Sequence, residues 1–263
     1  MAAQLIDIGV NLTHPSFDRD REAVLAAAEA AGVSPLIITG TSAAASQKAL
    51  EYASCHPGKL YATAGVHPHD VKNCDGSTLA ALRELAARDM VVAIGECGLD
   101  YNRDFSPRPV QREWFEKQVQ LAGELGMPLF LHEREAFEDF AAILRNSRGS
   151  LPGLVVHCFT GTEAELAGYR ELDAYIGITG WICDERRGKH LRSLVGKIPA
   201  DRLLLETDAP FLIPRDLNEG PRNNRNEPRF LPHIAQVIAD CLGKDAAQLA
   251  RETFANTRRF FGI

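Results

Sequence analysis

The sequence predicts a (β/α)8 barrel, and three observations predict it. Short apolar runs recur at fairly even spacing, eight in all, each with Gly, His, Asp or Glu at or near its C-terminal end. They are rich in Val, Ile and Leu without clean polar alternation, as expected of parallel strands buried on both faces. Helical patterns with their own start and stop signals lie between them. The runs are 5–11, 36–40, 61–67, 91–99, 128–134, 154–159, 175–180 and 203–210. Helices are expected at 18–31, 78–88, 111–125 and 136–144. Gly32 and Gly126 stand where a left-handed residue ends a helix. Thr162-Glu163-Ala164-Glu165 reads as a capping box opening another. A doubly wound sheet rarely needs eight regular units.

The 263 residues suit one domain spanning 1–263, because barrels of this class routinely use about 250. No linker or low-complexity tract divides the chain. The longest irregular stretch, 215–229, is rich in Arg and Asn, and a loop of that length inside a compact domain usually serves a function. Hydrophobic residues make up 45% and charged residues 24%, which excludes disordered and fibrous classes. The net charge of −6 argues against duplex binding by bulk electrostatics. Six scattered cysteines without a CxxC pair, no basic and apolar leader, and no long apolar span predict a cytoplasmic protein with reduced thiols.

The chemistry is carried by where the polar residues stand. Glu96 ends VVAIGE, His132 ends PLFLH, His157 ends LVVH and Asp208 ends LLLETD. All four fall near the C-terminal ends of predicted strands, the rim on which barrel active sites are built. A carboxylate there is costly unless paired or bound to metal. Two imidazoles and two carboxylates match the donor set of Mg²⁺, Mn²⁺ or Zn²⁺. Glu206, two residues before Asp208, shares its strand face and is expected to stand behind a ligand. Cys97 and Cys158 each neighbour a proposed ligand. On a strand they should point the opposite way and serve as small buried hydrophobes.

Together the motifs DIGVNLT, AGVHPH, AIGECGLD, LH at 131–132, VHCFTG, LETDAP and RNEP resemble the TatD family of metal-dependent deoxyribonucleases, from Ile6 to the C-terminus. The resemblance implies a TIM-barrel metal-dependent hydrolase with Glu96, His132, His157 and Asp208 as metal ligands. It implies a Mg²⁺-dependent 3′–5′ exonuclease on single-stranded DNA or RNA, in DNA repair or RNA turnover. The family usually opens with Asp-x-His-x-His, whose two His bind one of two metals; here Gly9 and Asn11 hold those positions. One firm metal site and a weakened second are therefore expected, with Asn11 left in a supporting role. Glu133 also departs from the family and should point away from the barrel interior.

Phosphodiester hydrolysis needs an activated water and neutralised phosphate charge. Asp208 is the candidate general base. By the resemblance His67 contacts phosphate, while His69 is as readily structural. Arg134 and Arg225 are the preferred phosphate binders, ahead of Arg186 and Arg187. Among the rim aromatics Tyr101, Phe159, Trp181 and Phe211, Trp181 is the preferred surface for base stacking. No membrane and no obligate protein partner are expected. The runner-up is another metal-dependent hydrolysis on this fold, of an ester or amide such as an aminoacyl ester on RNA. A binding protein without activity is the third reading, disfavoured by the retained rim carboxylates.

Overall fold

The computed structural model describes residues 4–217 and 224–263. Its eight strands form one parallel sheet in sequential order: β1 (Leu5–Val10), β2 (Val33–Ile38), β3 (Leu60–Ala64), β4 (Val91–Asp100), β5 (Leu129–Arg134), β6 (Leu154–Val156), β7 (Tyr175–Ile178) and β8 (Leu203–Leu205). Beyond β8 the chain meets β1, where Asp208 N–H donates to Gly9 C=O at 2.9 Å and Asn11 N–H to Ala209 C=O at 2.7 Å. These bonds bring the sheet round into a barrel, the architecture the apolar runs predict.

Helices alternate with the strands: α1 (Arg21–Ala30), α2 (Ala43–Ser54), α3 (Thr78–Ala86), α4 (Arg108–Leu125), α5 (Phe137–Ser147), α6 (Glu163–Glu171), α7 (Lys189–Leu194) and α8 (Leu231–Leu242), followed by α9 (Ala246–Phe261). Local chemistry sets their ends. Gly32 and Gly126 take positive φ just past α1 and α4. Thr162 and Glu165 form the reciprocal capping box of α6. No described helix is long and apolar enough to cross a membrane.

Several strands stop earlier than their apolar runs. β3, β6 and β8 end at Ala64, Val156 and Leu205, so His67, His157 and Asp208 lie in the loops beyond the ladder. The backbone reverses at Cys158 (φ 48°) and Asp208 (φ 55°), left-handed conformations that no strand continues. β2 begins three residues before its predicted start, because Pro35 interrupts the apolar run while leaving the chain extended.

A period of two fixes what fills the barrel. Phe130, Val155, Tyr175 and Leu204 belong to one buried cluster, and His132, His157, Gly177 and Glu206 stand two residues on. The site therefore rests on an apolar floor; the Phe130 and His157 rings lie 4.6 Å apart. Helix α4 contributes two buried glutamines that clamp loops. Gln118 accepts from Val66 N–H at 2.7 Å and donates back to its carbonyl, and Gln111 does the same for Asp100. These clamps hold the His67 loop and the end of β4 in register.

Candidate metal centre

Glu96 is the focus of the site. Its Oε1 lies 2.8 Å from His157 Nε2, 3.1 Å from His132 Nδ1 and 3.4 Å from His67 Nε2. The carboxylate is buried. Burial alone would raise its pKa, but the surrounding imidazoles outweigh that and hold it well below the ordinary carboxylate range. The donor atoms of His67, Glu96 and His132 all lie within 4.8 Å of one another.

Hydrogen bonds then separate the three imidazoles. His157 Nδ1 faces Glu206 Oε2 at 3.2 Å and its Nε2 faces Glu96 Oε1 at 2.8 Å, so both carboxylates accept from the ring, and Glu206 can keep Nδ1–H in place while Nε2 serves as a ligand. Burial would lower the His157 pKa, yet Glu96 and Glu206 raise it well above the usual value. His132 Nε2 is buried with no hydrogen-bond partner, 3.4 Å from Asp100 Oδ2. An orphaned nitrogen beside a carboxylate and two further imidazoles is a donor set that fits a divalent cation. His67 differs. Its Nδ1 accepts from His69 N–H at 3.1 Å, which places the ring proton on Nε2. That nitrogen is a hydrogen-bond donor aimed into the site, the property a phosphate contact requires. His69 is anchored through Nε2 to Asp100 Oδ2 at 2.7 Å.

Glu206 occupies a slot that only glycines leave open. A Cβ on Gly9 would stand 2.5 Å from its Oε2, and one on Gly177 would stand 2.6 Å from its Oε1. Its second oxygen accepts from Cys158 N–H. No Arg pairs with it among the described residues; an imidazole and a backbone amide hold it instead. Replacing Glu206 by Gln should keep the fold and weaken divalent-metal affinity by about 10–100-fold, because the amide loses the charge and one of the two acceptor oxygens that hold the His157 ring and the Cys158 N–H. Isothermal titration with Mn²⁺ measures this.

Asp208 adjoins the cluster from the far side. Asn11 Nδ2 donates to its Oδ1 at 2.9 Å. Burial chiefly, with Glu96 and Glu206 adding, pushes its carboxyl up to about 7 against the opposing His157 and Asn11. Asp7, which sequence reading left without a role, is fully buried beneath it. It accepts from Thr207 N–H at 2.9 Å and from the Thr207 hydroxyl at 2.5 Å, so it shapes the turn that presents Asp208. Asp100, also missed, lies between His69 and His132. Its position at the end of the apolar run after Glu96 was the available signal.

Three expectations need correction. Arg225 does not face the cleft with a free guanidinium. It clasps Asp20 through two bonds of 2.9 and 2.7 Å, meets Glu227 at 2.8 Å and lies 4.8 Å over the Phe17 ring. Its charge is spent fastening the last loop to the β1–α1 connection. Cys158 does not point away from the site as a strand residue would. The left-handed turn brings its thiol within 3.8 Å of the Thr179 hydroxyl, and the carboxylates of Asp208, Glu206 and Glu96 add to the burial that raises its pKa well above the ordinary range. Asp208 does not follow Glu206 along a continuing strand face, since β8 has already ended. Cys97 is buried, and Glu133 turns outward to Ala136 N–H and the Tyr169 hydroxyl.

A cleft opens beside the centre between the loops after β5, β6 and β7, lined by Arg134, Phe159, Trp181, Arg187 and His190 among others. Its acids are already engaged: Glu133 as above, Glu135 by Asn102, and Glu165 by its own capping box. Arg134 and Arg187 have no carboxylate partner among the described residues, and Arg187 lies 5.8 Å over the Trp181 ring. The cleft therefore sets two guanidinium groups and an aromatic face among three hydrogen-bonded carboxylates. Of the other aromatics, Tyr101 bonds Asp139, Phe159 is buried, and Phe211 is half-exposed beside His14.

Comparisons with known proteins place the chain among relatives along its whole length. Residues 6–262 match the family described as "TatD related DNase". A protein of Erwinia tasmaniensis named "3′-5′ ssDNA/RNA exonuclease TatD" is 53% identical over 98% of this chain and 100% of its own length. Its namesake in Rahnella sp. is 52% identical over 98% of both chains. Among solved structures, the TatD homologue YJJV of Escherichia coli K12 superposes with a TM-score of 0.90 at 30% identity, covering both chains in full.

Proposed function

The chain belongs to the TatD-related DNase family, and from that membership we propose that it is a metal-dependent 3′–5′ exonuclease hydrolysing the phosphodiesters of single-stranded DNA and RNA. The observation that carries this reading is one buried carboxylate, Glu96, facing His132, His157 and His67 at the mouth of the barrel, beside a cleft that offers Arg134, Arg187 and the Trp181 ring. In this reading Glu96, His132 and His157 hold a divalent cation, Mg²⁺ or alternatively Mn²⁺ or Zn²⁺, as the firm site. A second site, lacking imidazoles at Gly9 and Asn11, is weak. A bound divalent cation lowers the pKa of water and draws charge from phosphoryl oxygen.

The chain's own groups do the rest. Asp208, kept near neutrality by burial and poised by Asn11, takes the proton of the attacking water. His67 donates from Nε2 to a non-bridging phosphate oxygen. Glu206 holds the His157 ring in the orientation its ligand role needs. Arg134 binds the next phosphate along the strand, and Trp181 carries a base. Trp181→Ala should weaken single-strand binding by about 1–3 kcal/mol without regard to sequence. Fluorescence anisotropy with a labelled oligonucleotide in EDTA, where no turnover occurs, reads the loss.

The test of the activity is a time course on a 5′-labelled single-stranded oligonucleotide in Mg²⁺ and in EDTA. A ladder shortening one nucleotide at a time, absent in EDTA, is the expected result. An oligonucleotide left intact under every divalent ion would overturn the nuclease reading and turn attention to ester and amide substrates.

A further inference from the structure

A second convergence of metal-ligating groups lies away from the Glu96 centre. Cys183 closes the short 3₁₀ turn Gly180–Cys183 after β7, Asp216 lies between β8 and α8, and His233 stands in the first turn of α8. The donor atoms of these three all lie within 4.8 Å of one another. We propose that Cys183, Asp216 and His233 form a zinc site, independent of the catalytic centre, that ties the turn after β7 to the segment after β8 and to α8.

The donor chemistry selects the metal. A thiolate, an imidazole and a carboxylate suit Zn²⁺, whereas Mg²⁺ takes oxygen ligands and avoids sulfur. Tetrahedral zinc bonds place their donors roughly 3.3–3.7 Å apart, so His233 Nε2 and Asp216 Oδ1, now at 2.6 Å, open slightly to admit the ion while the third donor stays within reach. Without metal the group is held by His233 Nε2 and Asp216 Oδ1 at 2.6 Å, while Arg192 stands 3.5 Å from the other carboxylate oxygen. Zinc takes the place of the proton between His233 Nε2 and Asp216, which passes through solvent to Nδ1 so that the ring stays neutral, and the Cys183 thiol proton leaves to solvent. Arg192 remains on the outer oxygen as the partner that balances the carboxylate. Cys183 is fully buried, but the Asp216 and His233 side chains are 34% and 31% exposed, so the fourth position opens to water. The turn that Cys183 closes also bears Trp181. Zinc here stiffens the wall of the cleft from behind.

The test is spectroscopic and does not depend on nuclease activity. The full chain, stripped of metal, is titrated with Co²⁺ in excess Mg²⁺. A near-ultraviolet sulfur-to-cobalt charge-transfer band with visible tetrahedral bands should saturate at about one ion per chain and bleach on adding Zn²⁺. The band should persist in Cys158→Ser, whose thiol adjoins the catalytic centre, and vanish in Cys183→Ser. If Cys183→Ser fails to fold by circular dichroism, His233→Gln decides, because that ring is partly exposed and its loss should abolish or shift the band. No charge-transfer band, a band that disappears with Cys158 instead, or one unchanged in a folded Cys183→Ser or His233→Gln protein would overturn the proposal.

Discussion

Glu96→Gln is expected to lower kcat/KM on a single-stranded oligonucleotide by on the order of 10³-fold or more, beyond the loss typical of removing a residue that only supports a ligand. The substitution keeps the shape of the side chain and removes its charge. One oxygen of this carboxylate now faces three imidazoles, so a neutral amide leaves them without their common counter-charge. His157 retains Glu206 and should keep its place. The fold should therefore survive, as circular dichroism will show, while Mn²⁺ binding by titration calorimetry falls with the activity. A variant that loses hydrolysis yet binds metal as tightly as the parent would remove Glu96 from the ligand set.

Asp208→Asn is the second large effect, with kcat reduced by about 10²–10⁴-fold, the range supplied by a positioned general base. Here the two readings of the residue part company. If Asp208 takes the proton of the attacking water, single-turnover rates fall while KM and metal affinity change little. If it is chiefly a ligand, metal affinity falls first and excess Mn²⁺ restores much of the rate. Under both readings Asn11 Nδ2 holds the Asp208 Oδ1 in place, so the rescue by Mn²⁺ is what separates them.

Much of this was legible in the chain. Glu96, His132 and His157 stood out because polar groups at the ends of apolar runs are costly, and costly groups persist where they have partners. The barrel followed from the same runs. Other features depend on contacts that no local pattern encodes. Arg225 looked like a phosphate binder until Asp20, some two hundred positions away, proved to hold it. Cys158 was misdirected because a strand was assumed to continue where a left-handed residue ends it. The tautomer of His67 could be read only once the His69 amide was seen to occupy its Nδ1. Cys183, Asp216 and His233 carry no spacing signal at all, since three separate segments supply them.

The slot around Glu206 couples position 9 to groups that lie far from it in the chain. A Cβ at position 9 would fall 2.5 Å from Oε2, so the carboxylate would have to swing aside to admit it. That swing would pull Glu206 from the His157 ring and the Cys158 amide, which it now holds together. A side chain introduced at position 9 therefore reaches the metal centre through the carboxylate it displaces, without touching a ligand itself.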